Sequence, residues 1–242
     1  MIHIKQFILW FFQSPTPITA IFSLLVAYYT YKYQRKWNKR QHTRELTEWY
    51  AKYTLPKFRY FNCILNKIGY IDIVQKFSKY EDFDSKELME NLSKFSYSKS
   101  DIENLFSNIT IEILDQAYTQ SGGSDYIKNL NKTMKQFYNI NNGIDYNMFK
   151  KIVTDLLNEI ELRALQLNYC IYDEAMVYPI LHQTYLKNII NLYYFLSSEN
   201  LQDYDQFYIY TIWLYHLWNN RVRTEKNKLK QTFHKKSKTS KL

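Results

Sequence analysis

The sequence predicts an all-α protein with a single N-terminal transmembrane helix, a cytoplasmic multi-helix domain and a basic disordered tail. Three observations carry that expectation. The 242 residues include four glycines and four prolines, too few for the turns of a sandwich, a barrel or a doubly wound sheet. Apolar residues recur at three- and four-residue spacing through much of the chain, the period of helices with one buried face. Residues 6–31 form an uncharged run of 26, and a bilayer core of about 30 Å requires roughly 20 residues of helix.

Residues 1–15 read as a short segment at the far membrane interface, with Trp10 as an anchor, because Pro15 and Pro17 suit a helix start and would break an interior. Residues 16–37 read as the transmembrane helix. Its most lipophilic part is 18–27, and Tyr28, Tyr29, Tyr31, Tyr33 and Trp37 would form the near aromatic belt. Only Lys5 precedes the run, whereas Lys32, Arg35, Lys36, Lys39, Arg40 and Arg44 follow it with no acid among them. This asymmetry places the N-terminus outside and the remainder in the cytoplasm, as a single-pass protein of the cell membrane. A cleaved signal peptide fits less well, since no small-residue cleavage site follows Val26.

Residues 38–55 read as a basic juxtamembrane helix ended by Pro56, and residues 56–233 as the helical domain. Within it, Phe58, Phe61, Ile64, Leu65 and Ile68 share one helical face. Asp84 with Glu87, and Ser100 with Glu103, have the spacing of a helix cap and the third residue after it. Gly122-Gly123 and Asn142-Gly143 mark connections, leaving helices at about 125–138 and 146–168. Asp173 is expected to cap a helix running through 181–196, bent early by Pro179. The last helix is expected to start near Asp203 or Asp205. Its uncharged segment 207–220 has 14 residues, better suited to a core helix than to a second span. Residues 234–242 read as a disordered basic tail.

Charge is distributed unevenly. The formal total is +9, yet from Arg221 onward nine basic residues face one acid, Glu225, and the body between the two basic segments is left acidic. Cys63 and Cys170, the only thiols, are expected to be reduced, buried and inert. The sequence holds no phosphate loop, nucleophile elbow, zinc-protease signature or paired-cysteine metal pattern. No cofactor and no metal is expected, and no catalytic residue is assigned. Arg35 and His42 have the spacing of an Arg–His ribonuclease pair, but the charge asymmetry across the membrane already accounts for them. His182 and His216 read as core histidines. Asp155, Glu159, Glu161 and Arg163 read as a solvated face.

The candidate polyanion-binding residues are therefore Arg221, Arg223, Lys226, Lys228, Lys230, Lys235, Lys236, Lys238 and Lys241, with the collar Lys32, Arg35, Lys36, Lys39, Arg40 and Arg44 beside the membrane. Such clusters bind nucleic acid by counterion release or attract anionic lipid. RNA or single-stranded DNA is the expected partner of the tail, with anionic lipid and a solubilising tail without a specific partner as the other readings.

The segments Asp155-Leu-Leu-Asn-Glu-Ile-Glu161 with Ala164, Ile171-Tyr-Asp-Glu174 and Leu192-Tyr-Tyr-Phe-Leu196 resemble a group of bacterial proteins with one N-terminal span and a helical cytoplasmic domain, and the layout and length of the chain resemble the abortive-infection phage-resistance proteins of low-GC Gram-positive bacteria. The resemblance implies a resident membrane protein that interferes with phage development inside the cell by engaging nucleic acid, and it implies no catalytic residues. An adaptor that docks a protein partner through the acidic body, or a membrane-tethered ribonuclease, are the alternative functions.

Overall fold

The computed structural model describes residues 15–200 and 206–239, with side chains described for 19–200 and 206–231. Among the described residues every regular element is helical. Helix α1, Pro15–Trp49, is followed by a π-helical turn, Tyr50–Thr54, and by α2, Leu55–Lys67, whose first turn holds Pro56, where a missing N–H costs nothing. The predicted face of α2 is fully used: Phe58, Phe61, Ile64, Leu65 and Ile68 are all buried.

The N-terminal segment differs from expectation. No described helix is long and apolar enough to cross a membrane. Within α1 the lipophilic stretch 18–27 amounts to about 15 Å of helix, half the thickness of a bilayer core, before tyrosines and then Lys32 follow. The expected interfacial segment with Trp10 lies outside the described residues, apart from Pro15, which opens α1.

Short helices α3 (Tyr70–Val74), α4 (Ser85–Lys94) and α5 (Lys99–Asn104) come next, and a 3-10 turn, Leu105–Asn108, leads to α6 (Ile111–Gln120). Asp84 caps α4 as its spacing predicts, its carboxylate accepting from the Glu87 N–H at 2.7 Å. The cap of α5 is Ser98 rather than Ser100. Ser98 and Asp101 exchange side-chain and backbone bonds in a complete capping box, so the helix is already under way at Ser100. Helices α7 (Asp125–Asn141) and α8 (Tyr146–Asn168) match their predicted positions.

Helix α9, Glu174–Asn191, stops short of the predicted 181–196, and a separate helix α10, Tyr193–Glu199, follows. Tyr193, Tyr194, Phe195 and Leu196 are all buried. Four consecutive buried residues cannot share one face of an amphipathic helix, so the chain turns at Leu192 and immerses this short helix in the core.

Helix α11, Ile209–Thr239, closes the fold. Asp203 and Asp205, near which it is expected to start, lie outside the described residues, but residues 206–208 are not helical and the helix opens later, at Ile209. The uncharged segment behaves as a core helix, with Leu214, Tyr215 and Trp218 buried. Its backbone stays helical through Thr239, where disorder is expected from His234. Residues 221–239 contain neither Gly nor Pro, and their lysines, glutamine and leucine are good helix formers.

The core is unusually aromatic. Rings of Tyr70, Phe106, Tyr146, Phe149 and Phe195 lie 5.0–6.0 Å apart, mostly tilted or edge-on, within the spacing favoured by ring quadrupoles. Several buried phenols have partners: Tyr60 donates to Asn131, Tyr193 to Glu87, Tyr194 to Glu103 and Tyr185 to the Thr211 carbonyl.

Candidate polyanion-binding surfaces

The two basic segments leave the body at one corner, and the corner is built by residues 169–174. Helix α8 ends with Cys170 in the left-handed conformation, φ +57°. The Cys170 N–H donates to Leu167 O and the Ile171 N–H to Gln166 O, the bonding of a Schellman cap, at a position usually taken by Gly. Asp173, the expected side-chain cap of α9, makes no such cap bond. Instead its N–H donates to Thr43 Oγ1 of α1 at 2.7 Å, and the Thr43 hydroxyl donates in turn to the Lys39 carbonyl at 2.7 Å. The next residue, Glu174, accepts from Trp218 Nε1 at 2.9 Å and from Arg221 Nη1 at 3.2 Å, both on α11. One dipeptide thus ties down both helices. Leu46 of α1, Tyr50 of the π-helical turn that follows it, and Leu214 and Trp218 of α11 line one apolar cavity of about 30 Å³, so the helices share a core layer before each departs.

On α1, Lys32, Arg35, Lys36, Lys39 and His42 recur at helical spacing and line an open groove of about 630 Å³, whose other wall is Cys170, Ile171 and Asp173. Arg40 and Arg44 follow Lys36 at four-residue steps, and neither lines the groove. Arg44 Nε donates to Glu48 Oε1 at 2.8 Å, and this bond and charge raise the guanidinium pKa above its usual value. His42 Nδ1 meets Glu45 Oε2 at 3.3 Å. The Arg35–His42 pair thus shares one wall, two turns apart. N-terminal to the collar, Phe22, Leu24, Leu25 and Val26 are exposed, Phe22 by 68% and Leu24 by 70%, as are Tyr28, Tyr29, Tyr31, Tyr33 and Trp37.

The tail residues divide. Arg221 is part of the body: it pairs with Glu174 and Glu225, and its guanidinium lies 3.7 Å from the centre of the Tyr178 ring. Tyr178 donates to Glu225 at 3.0 Å. The sequence assigned Arg221 to polyanion binding because spacing alone cannot show a distant carboxylate. Arg223, Lys226, Lys228 and Lys230 are exposed on the projecting helix, with 223, 226 and 230 along one face. The backbone at Lys235, Lys236 and Lys238 is helical, but their side chains lie outside the described residues, and Lys241 lies wholly outside them.

Other expected surfaces turn out to be structural. Glu161 is not on a solvated face: its carboxylate accepts from the Tyr210 and Thr211 N–H groups at 3.0 and 2.8 Å and from the Thr211 hydroxyl, filling the free donors at the start of α11. Glu159 pairs with the buried Lys57, whose ammonium also lies 4.5 Å from the centre of the Tyr126 ring. Arg163 stacks on Trp49 at 4.3 Å. His182 stacks on Tyr178 at 4.3 Å, its Nδ1 2.7 Å from the Tyr178 carbonyl, and His216 packs edge-on against Phe83. Cys63 is buried, as expected, and burial raises its thiol pKa; Cys170 is exposed on the groove wall. Among the described residues no group of three or more His, Cys, Asp or Glu could hold a metal ion.

No family model, no curated protein and no solved structure matches the chain.

Proposed function

We propose that this is a membrane-anchored phage-resistance protein of the abortive-infection type, which acts by binding rather than catalysis and holds RNA or single-stranded DNA beside the inner face of the membrane. The observation that carries the reading is the common corner from which an exposed apolar helix and two basic segments leave an acidic body.

Ile21, Phe22, Leu24, Leu25 and Val26 spread over more than half of the circumference of α1 instead of forming one narrow stripe, and an exposed apolar surface of that width calls for a core or a lipid environment. The body covers none of these side chains. The lipophilic part of α1 is short by itself, so the proposed anchor, residues 16–37, takes in the tyrosine belt and has the collar at its cytoplasmic end. Beyond Arg221, α11 extends about 27 Å with Arg223, Lys226 and Lys230 along one face, suited to successive phosphates of a single strand. Phage defence is what the family resemblance adds.

The test is an electrophoretic shift of the full chain in detergent with single-stranded RNA and DNA. Replacing Arg223, Lys226 and Lys230 by Ala should weaken binding and lower the slope of log affinity against log salt by about 2, since each phosphate contact on a single strand contributes about 0.7. A salt-independent interaction, or one indifferent to these changes, would overturn nucleic-acid binding. A phage-plating assay with the same variant then asks whether defence depends on that binding.

A further inference from the structure

We propose that the groove between the basic face of α1 and residues 170–173 binds the headgroup of an anionic phospholipid, whose acyl chains lie along residues 21–29 of the same helix. The proposal rests on the anchoring reading and divides the two basic segments: the collar holds lipid and the tail is left for nucleic acid.

Three features select this occupant. Lys32, Arg35, Lys36 and Lys39 cover about 10 Å of one helix face, comparable with the 5–8 Å roughly occupied by one headgroup layer. The arginine fork can take a phosphate through two hydrogen bonds while the lysines act as point charges. The cations begin directly after Tyr31, which also lines the groove, and Tyr is enriched where hydrocarbon meets headgroups. The apolar side chains of Phe22, Leu24, Leu25 and Val26 follow along the same helix. A ligand with a phosphodiester at one end and hydrocarbon at the other matches that order; a sugar–phosphate strand matches only the first part.

The opposite wall adds discrimination. Ile171 is exposed there, and Asp173 is the groove's one carboxylate. An acid facing the cations suits a headgroup that also carries donors, such as the glycerol hydroxyls of phosphatidylglycerol. Thr43 fixes the Asp173 backbone to the collar helix, so the two walls keep their separation.

The test uses the full chain reconstituted in phosphatidylcholine vesicles that contain dansyl-labelled phosphatidylglycerol or dansyl-labelled phosphatidylcholine, with energy transfer from tryptophan as the readout. At low salt the labelled anionic lipid should be enriched beside the protein about tenfold, because the basic residues near the surface attract it and Asp173 offsets part of that attraction. Arg35→Ala combined with Lys39→Ala should reduce the enrichment to about twofold, while Arg223→Ala combined with Lys226→Ala should leave it intact. Equal transfer from both lipids, loss only in the tail variant, displacement by single-stranded RNA, or abolition by millimolar inorganic phosphate would each overturn the lipid site. Flotation with phosphatidylcholine vesicles separates the two readings. A chain that does not float refutes the anchor and this site together, whereas one that floats without lipid preference refutes this site alone.

Discussion

Cations have opposite fates in the body and on the projecting helices. Inside the body, Lys57 is buried beside Glu159, Arg221 is held between Glu174, Glu225 and the Tyr178 ring, and Lys135 meets Asp115 at 2.6 Å. On the collar, among the described residues, Arg44 is the cation with a carboxylate partner. Aromatic residues divide in the same way: Tyr60, Tyr70 and Tyr193 are wholly buried, while Tyr28, Tyr29, Tyr31 and Tyr33 face outward. Similar residues therefore hold the fold together in one region and stand exposed in the other, so substitutions should separate folding from the proposed binding.

The largest effect should come from Glu159→Ala. It strands a buried ammonium, and breaking such a pair costs about 3–5 kcal/mol. Chemical denaturation should show this loss, and Lys57→Met combined with Glu159→Leu should recover most of it. A loss below about 1 kcal/mol for the single change would show that Lys57 reaches water and belongs with the projecting cations.

High pH should break the body next. Burial holds the phenols of Tyr60, Tyr70, Tyr185 and Tyr193 well above their ordinary value of 10.0. The folded state therefore keeps protons that the unfolded chain releases. Stability from these groups is complete below pH 10 and falls as pH rises above it, by about 1.4 kcal/mol per pH unit for each tyrosine ionised only in the unfolded chain. Phenolate absorbance should show the exposed tyrosines titrating near their ordinary value and the buried ones appearing only with unfolding, in step with loss of helical circular dichroism.

A smaller effect belongs to the junction. Thr43→Val removes a hydroxyl that both accepts from Asp173 and donates to Lys39, costing about 1–2 kcal/mol and raising hydrogen exchange at Asp173. The smallest belongs to the projections: Lys32→Ala and Lys226→Ala should each change stability by less than about 0.5 kcal/mol. A larger loss in either would mean that its lysine is structural.

Much of the fold was legible because it depends on local chemistry. The 3.6-residue repeat placed α8, the apolar face located α2, and Asp84 with its spacing to Glu87 marked the start of α4. Ser98 was missed because two equivalent cap spacings lie two residues apart, and reciprocal bonding to Asp101 decides between them. The break at Leu192 was invisible because the stretch 189–196, apolar apart from Asn191, looks the same whether a helix continues or turns inward. The basic clusters were legible as charge. Removing Arg221 from them depended on Glu174, 47 positions away, and Glu161 as the acid at the start of α11 depended on Thr211, 50 positions away. The groove itself carried no sequence signal, because its second wall is a helix end with no Gly or Pro to announce it.

That wall also gives the molecule a chemical handle. Cys63 is buried and Cys170 is exposed, so a thiol reagent applied to the folded wild-type chain should mark one place, the rim of the groove. Its rate of alkylation, followed without any substitution, would report in real time whether the groove is open or occupied.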